Sequence, residues 1–191
     1  MRRILFLLAL LAATPASAQS TAHPLTKQPS DIVAPARVGP YVRGERHVYG
    51  DASAGVSYRY ESAAASDSSW ATVYYYRESY PATLPVSRMI AAEVREFMAT
   101  LDYHVRTGEY EQYRMAWSQP DTLRAENQLL PGHKIAYVYV TRGQKYVSTF
   151  NVYVSGRTLI KVRGTVPGSQ FENTLILGFA EAAPVLTVLT N

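Results

Sequence analysis

The sequence predicts an α+β protein: a single antiparallel sheet of about six or seven strands packed with two main helices. Three observations predict it. Residues 134–167 alternate with period two over three runs joined by short glycine turns, the mark of consecutive antiparallel strands. Apolar side chains recur at helical spacing over 83–103 and again after residue 169. Short strand patterns with turn residues between them precede the first helix.

In chain order, residues 1–18 read as a secretory signal peptide. Arg2 and Arg3 precede an apolar run over 4–13, and Ala16-Ser17-Ala18 supplies a small-residue cleavage site. The run is too short to span a membrane. Cleavage after Ala18 is expected to leave a soluble chain beginning at Gln19, periplasmic or secreted. No Cys follows the apolar run, which argues against a lipid anchor. With no Cys anywhere, the exported chain holds together through its core, without disulfides. Residues 19–38 carry Pro24, Pro29 and Pro35 among Ser and Thr, and read as a flexible lead-in. Residues 39–191 are expected to form one domain, a length that buries one adequate core.

Gly39-Pro40 turns the chain into a first strand over 41–49. Val56, Tyr58 and Tyr60 alternate with Ser57, Arg59 and Glu61 in a half-buried strand. After a small-residue loop, 70–77 set Trp70, Thr72, Tyr74 and Tyr76 opposite Ala71, Val73 and Tyr75. The first helix spans 83–103, with Pro85 in its first turn. Val86, Ile90, Val94, Phe97 and Leu101 form its apolar stripe, widened by Met89 and Met98, while Arg88, Arg95, Glu96 and Asp102 face away. Tyr113, Met115 and Trp117 alternate with Gln112, Arg114 and Ala116 in a strand to about residue 119. Pro120-Asp121 and Pro131-Gly132 read as turns, with 122–130 ambiguous between them.

Residues 134–141 are apolar on both sides, so this strand belongs inside the sheet. Arg142-Gly143-Gln144 turns into 145–154, and Ser155-Gly156 into 158–166. There Ile160, Val162 and Val166 oppose Lys161, Arg163 and Thr165. Pro167-Gly168 stops the run. The second helix starts near Ser169 as N-cap, with Phe171, Leu175 and Phe179 on its buried face. Phe97, Ile90, Val152, Ile160 and Val162 are expected to be buried together. The order β-β-β-α-β-(β)-β-β-β-α resembles that of the PsbP/Mog1-like α/β fold across most of the mature chain. The resemblance is one of element order; it implies an architecture and assigns no residue a role.

The chemistry is defined mainly by exclusion. The 19 basic residues against 15 acidic ones include Arg2 and Arg3 of the signal peptide, and the balance lacks the charge density of a nucleic-acid binder. His23, His47, His104 and His133 stand apart, without metal-ligand spacing. There is no Gly-x-Ser-x-Gly elbow and no glycine-rich phosphate loop. No metal, cofactor or catalytic residue is expected.

The unusual feature is 15 Tyr against 5 Phe. Tyr covers a ring while keeping its hydroxyl wet, which suits a sheet face that meets a partner. Thr149, Asn151, Tyr153, Lys161 and Arg163 are expected together on the outward face of neighbouring strands, joined by Arg59 and Glu61 if the second strand shares the sheet. This open Tyr/Arg/Lys face is the candidate ligand-binding surface, for an envelope protein, a peptide or a glycan. The plain alternative is an ordinary solvated sheet face. Two functions follow: a non-catalytic binding or envelope-accessory protein, or a small secreted hydrolase with a site assembled from distant residues. A pocket joining His to Ser or a carboxylate would favour the hydrolase.

Overall fold

A computed structural model describes residues 29–50, 55–63, 68–77, 79–125 and 128–168. A 3-10 turn, Pro29–Asp31, is followed by β1 (Arg37–Val38), β2 (Tyr41–Val48), β3 (Val56–Ser62) and β4 (Trp70–Arg77). Then come α1 (Val86–Arg106), β5 (Gln112–Ala125), β6 (Gln128–Thr141), β7 (Gln144–Ser155) and β8 (Thr158–Pro167). All strands join one antiparallel sheet in the order β1-β2-β3-β4-β8-β7-β6-β5. The chain lays down one meander, crosses over through α1, and returns as a second meander whose last strand docks on β4. The sheet has eight strands rather than six or seven, because Arg37–Val38 pairs with β2. The second helix expected from Ser169 lies outside the described residues.

Residues 120–132 depart from expectation. Pro120 pairs with His133 and Thr122 with Pro131, so both prolines lie inside one long hairpin, not in turns. Proline is tolerated where its missing N–H faces no neighbour. β5 is the edge strand, and β6 meets β7 only from Gly132 onward. Each proline therefore has an open side. The β6–β7 turn forms as expected: Arg142 and Gly143 both take positive φ, 52° and 69°, the two-residue geometry that matches strand twist.

Pro85 stands at the N-cap of α1 in an extended conformation, without a side-chain cap, rather than inside the first turn. Met89, Ile90, Phe97 and Leu101 bury the helix against β6 and β7, but Val86 is 37% exposed. Phe97 stacks on Phe150 at 4.0 Å and meets Tyr137 edge-on.

The central strands are buried on both sides, and period two sorts their residues. Ile135, Tyr137, Phe150, Val152 and Leu159 lie under α1. Tyr58, Val73, Tyr75, Tyr153, Ile160 and Val162 form a second core on the opposite face. The single core expected from sequence thus divides: Phe97, Ile90 and Val152 pack together, while Ile160 and Val162 lie across the sheet from them. Part of the expected lead-in is also fold. Ile32 and Ala34 are fully buried in the second core. Tyr58 donates to the Ile32 carbonyl at 2.6 Å and Tyr60 to the Pro35 carbonyl at 2.8 Å. These phenols satisfy backbone groups that no strand reaches.

Candidate functional site

The β7–β8 register decides where the expected surface residues point. Lys161 opposes Val152 and Arg163 opposes Phe150, which places both cations on the α1 side. Asn151 opposes Val162, Tyr153 opposes Ile160 and Thr149 opposes Gly164, on the other side. The five residues therefore do not share a face. Nor is the surface open, since Thr149, Asn151 and Tyr153 are buried. β7 and β8 are interior strands buried on both faces, so polar alternation here does not mean solvent.

Each group has an internal task. The Tyr153 hydroxyl donates to Asp121 Oδ2 at 2.7 Å, and Lys134 Nζ lies 3.1 Å from the same oxygen. Burial opposes the Asp121 charge, but these two donors outweigh it and hold the carboxyl below its usual value. On the α1 side, Lys161 Nζ lies 2.5 Å from Glu93 Oε2 and 4.6 Å from the centroid of the Tyr76 ring. Tyr76 and Tyr80 donate to the same carboxylate at 2.8 and 3.1 Å. Burial draws the Lys161 ammonium down to about 8. Burial and the Glu93 carboxylate together push Tyr80 up to about 12. Arg163 donates to the Tyr110 hydroxyl at 2.6 Å. Burial works against its charge, and the phenols of Tyr137 and Tyr110 more than compensate. Glu93, buried on the apolar face of α1, is the key residue that sequence reading missed. Its position in the stripe among Ile90, Val94 and Phe97 is the signal that would have found it.

The part of the helix-side face that α1 leaves uncovered is carried by β2, β3 and β4. Cross-strand rows run His47–Ser57–Tyr74 and Arg59–Thr72, ending on Lys161 and Arg163 respectively. Arg59 and Glu61 do stand here, exposed, and pair at 2.8 Å. The Arg59 guanidinium lies 5.4 Å from the Trp70 ring centroid. Beside them is an open groove of about 310 Å³ lined by Glu45, His47, Tyr49, Arg59, Thr72 and Tyr74, with Ser57 at its base. Tyr49 and Ser57 hydroxyls share a hydrogen bond at 3.1 Å, and His47 packs edge-on against the Tyr49 ring. Donors, acceptors and rings converge here, an arrangement suited to holding a polar ligand.

Elsewhere, Ser118 Oγ lies 2.7 Å from His133 Nε2. Burial lowers the His133 pKa against the opposing charge of Asp121, which favours the neutral ring. Asp121, the carboxylate nearest in the hairpin, is engaged with Tyr153 and Lys134 on the opposite side of the sheet. Among the described residues, no three His, Asp or Glu side chains are grouped as metal ligands. No described helix is long and apolar enough to cross a membrane.

The molecule thus belongs to the class of antiparallel α+β sheet proteins with one face partly roofed by a helix. It is similar to the solution structure of cyanobacterial PsbP from Synechocystis sp. PCC 6803, with a TM-score of 0.49 and 13% sequence identity; the match covers 75% of this chain and 79% of that one. The likeness is one of fold, as the element order led us to expect, and it transfers no residue role. No protein-family model and no curated protein matches the chain.

Proposed function

We propose that the protein is an exported, non-catalytic binding protein of the cell envelope that holds a glycan against β2–β4. The observation that carries this reading is the open groove between Glu45, His47, Arg59, Thr72 and Tyr74. Sugars present hydroxyls that both donate and accept, and flat C–H faces that stack on rings. The groove offers carboxylate and imidazole acceptors, guanidinium and hydroxyl donors, and the Tyr49 and Tyr74 rings. Export rests on the pattern of residues 1–18. The test is titration of a β-1,4-linked N-acetylglucosamine tetramer into isotope-labelled protein, followed by NMR. Shifts are expected on β2–β4, and Tyr74→Ala or Arg59→Ala should weaken binding by about tenfold or more, the scale of a truncated anchor. Absence of binding at millimolar sugar, or shifts confined to other strands, would sink the proposal.

The Ser118–His133 contact favours a second reading, a hydrolase. A Ser–His pair needs a third group to orient the imidazole, and Asp121 serves elsewhere. A fluorophosphonate probe is expected to leave Ser118 unlabelled. Stoichiometric labelling that Ser118→Ala abolishes would establish the hydrolase instead.

A further inference from the structure

We infer that a second groove, between α1 and the β5–β6 hairpin, binds a single-chain aliphatic carboxylate. The groove measures about 450 Å³, and its floor is Ile90, Ala91, Val94, Pro120 and Gly132. Ala91 and Pro120 are small or compact at the point where helix and hairpin approach, and His133 lines the groove beside them. Gly132 cannot be larger: a Cβ there would collide with the Tyr153 ring and the Val152 carbonyl behind it. A trough of this volume with a mainly apolar floor is in the range of small-molecule sites.

The charge at the rim selects the head group. Arg88 and Arg95 stand on the helical wall, seven residues or about 10 Å apart, and no acidic side chain lines the groove. Ser87 lies beside Arg88 at the start of α1. The first turn of α1 contains no acidic residue and Pro85 provides no side-chain cap, so the positive end of the helix adds to the Arg88 charge. A carboxylate at that end meets a guanidinium that accommodates it through two parallel hydrogen bonds. The chain then runs along Ala91 and Val94 towards Pro120. This groove is separate from the β2–β4 groove and draws on none of its residues.

The experiment is calorimetric titration of the protein with octanoate, decanoate and dodecanoate below their micelle concentrations. Affinity should rise about fourfold per added methylene while the chain still finds apolar floor. The Arg88→Ala/Arg95→Ala double variant, altered only at exposed positions, should keep its thermal midpoint and bind dodecanoate about tenfold more weakly or worse. Ala91→Trp, which fills the trough, should abolish binding, and Arg59→Ala should leave it unchanged. Dodecyltrimethylammonium, with the same chain and the opposite charge, should not compete. No measurable binding, equal affinity for the cationic amphiphile, or undiminished binding in the folded arginine double variant would overturn the inference.

Discussion

Glu93 shows what single residues decide here. It sits in the apolar stripe of α1 with 3% of its surface exposed, yet it accepts from Tyr76, Tyr80 and Lys161. Removing one partner of a buried pair strands the other charge in a poor solvent. Glu93→Ala is expected to destabilise by about 3 kcal/mol, at the low end for a buried pair, because the Lys161 side chain keeps 20% of its surface exposed. Glu93→Leu/Lys161→Met, which removes both charges, should cost clearly less; chemical denaturation of the single and double variants checks this. The tyrosines make a second prediction. Burial raises the phenols of Tyr60, Tyr75 and Tyr139 above their usual 10, and Tyr80 to about 12. A raised folded-state pKa means stability that is complete below 10 and lost as pH climbs through the folded value. Lys161, depressed from 10.5 to about 8, works in the opposite sense between those values, but it is one group against several. Thermal midpoints should therefore fall above pH 10. Phenolate absorbance should rise in two stages, the later one coinciding with unfolding.

At the scale of elements, α1 and the strand runs were legible in the sequence because their periodicities are local. The helix expected over 83–103 occupies Val86–Arg106, and the runs at 70–77 and 41–49 correspond to β4 and β2. Phe97 was legible as core, and its stacking on Phe150 makes it the anchor of the helix. Phe97→Ala is expected to cost about 3–5 kcal/mol through lost burial and a residual cavity, visible as a lower thermal midpoint. The shared face of Lys161 and Asn151 was misjudged although the sequence held the correction. A two-residue turn at Gly156-Arg157 sets Ser155 opposite Thr158 and so pairs odd positions with even ones along the whole hairpin. Asn151 and Lys161, both odd, must face opposite ways. The long β5–β6 hairpin was not legible in the same manner. Pro120 and Pro131 carry strong local turn signals, and only their neighbours in the sheet make them acceptable inside strands.

At the scale of the molecule, two meanders meet where β8 pairs with β4, and α1 packs mainly over the β5–β7 side of one face. That asymmetry produces both candidate sites: the bare β2–β4 surface and the trough between helix and hairpin. A prediction at this scale concerns export. The Arg2/Arg3, apolar and Ala16-Ser17-Ala18 pattern implies that protein recovered from a periplasmic fraction begins at Gln19, which intact-mass measurement reads directly. Retention of Met1 in that fraction would refute cleavage after Ala18.

By itself the sequence determined the α+β class, the antiparallel strands and the helix, because periods of two and 3.6 are written in neighbouring residues. Its Tyr excess reads as an open, partner-facing surface, whereas Tyr58, Tyr60, Tyr75, Tyr137 and Tyr153 lie in the interior. Only the tertiary structure decided which faces are covered and by what. Alternation marks two sides of a strand but does not say which one meets water. Lys161 and Arg163 read as a solvated pair until α1 packs above them with Glu93 and the turn that follows α1 supplies Tyr110. Arg59 carries the same kind of charge in the same sheet and stays exposed, because α1 packs mainly over β5, β6 and β7. Coverage depends on residues distant in the chain, and no local pattern encodes it.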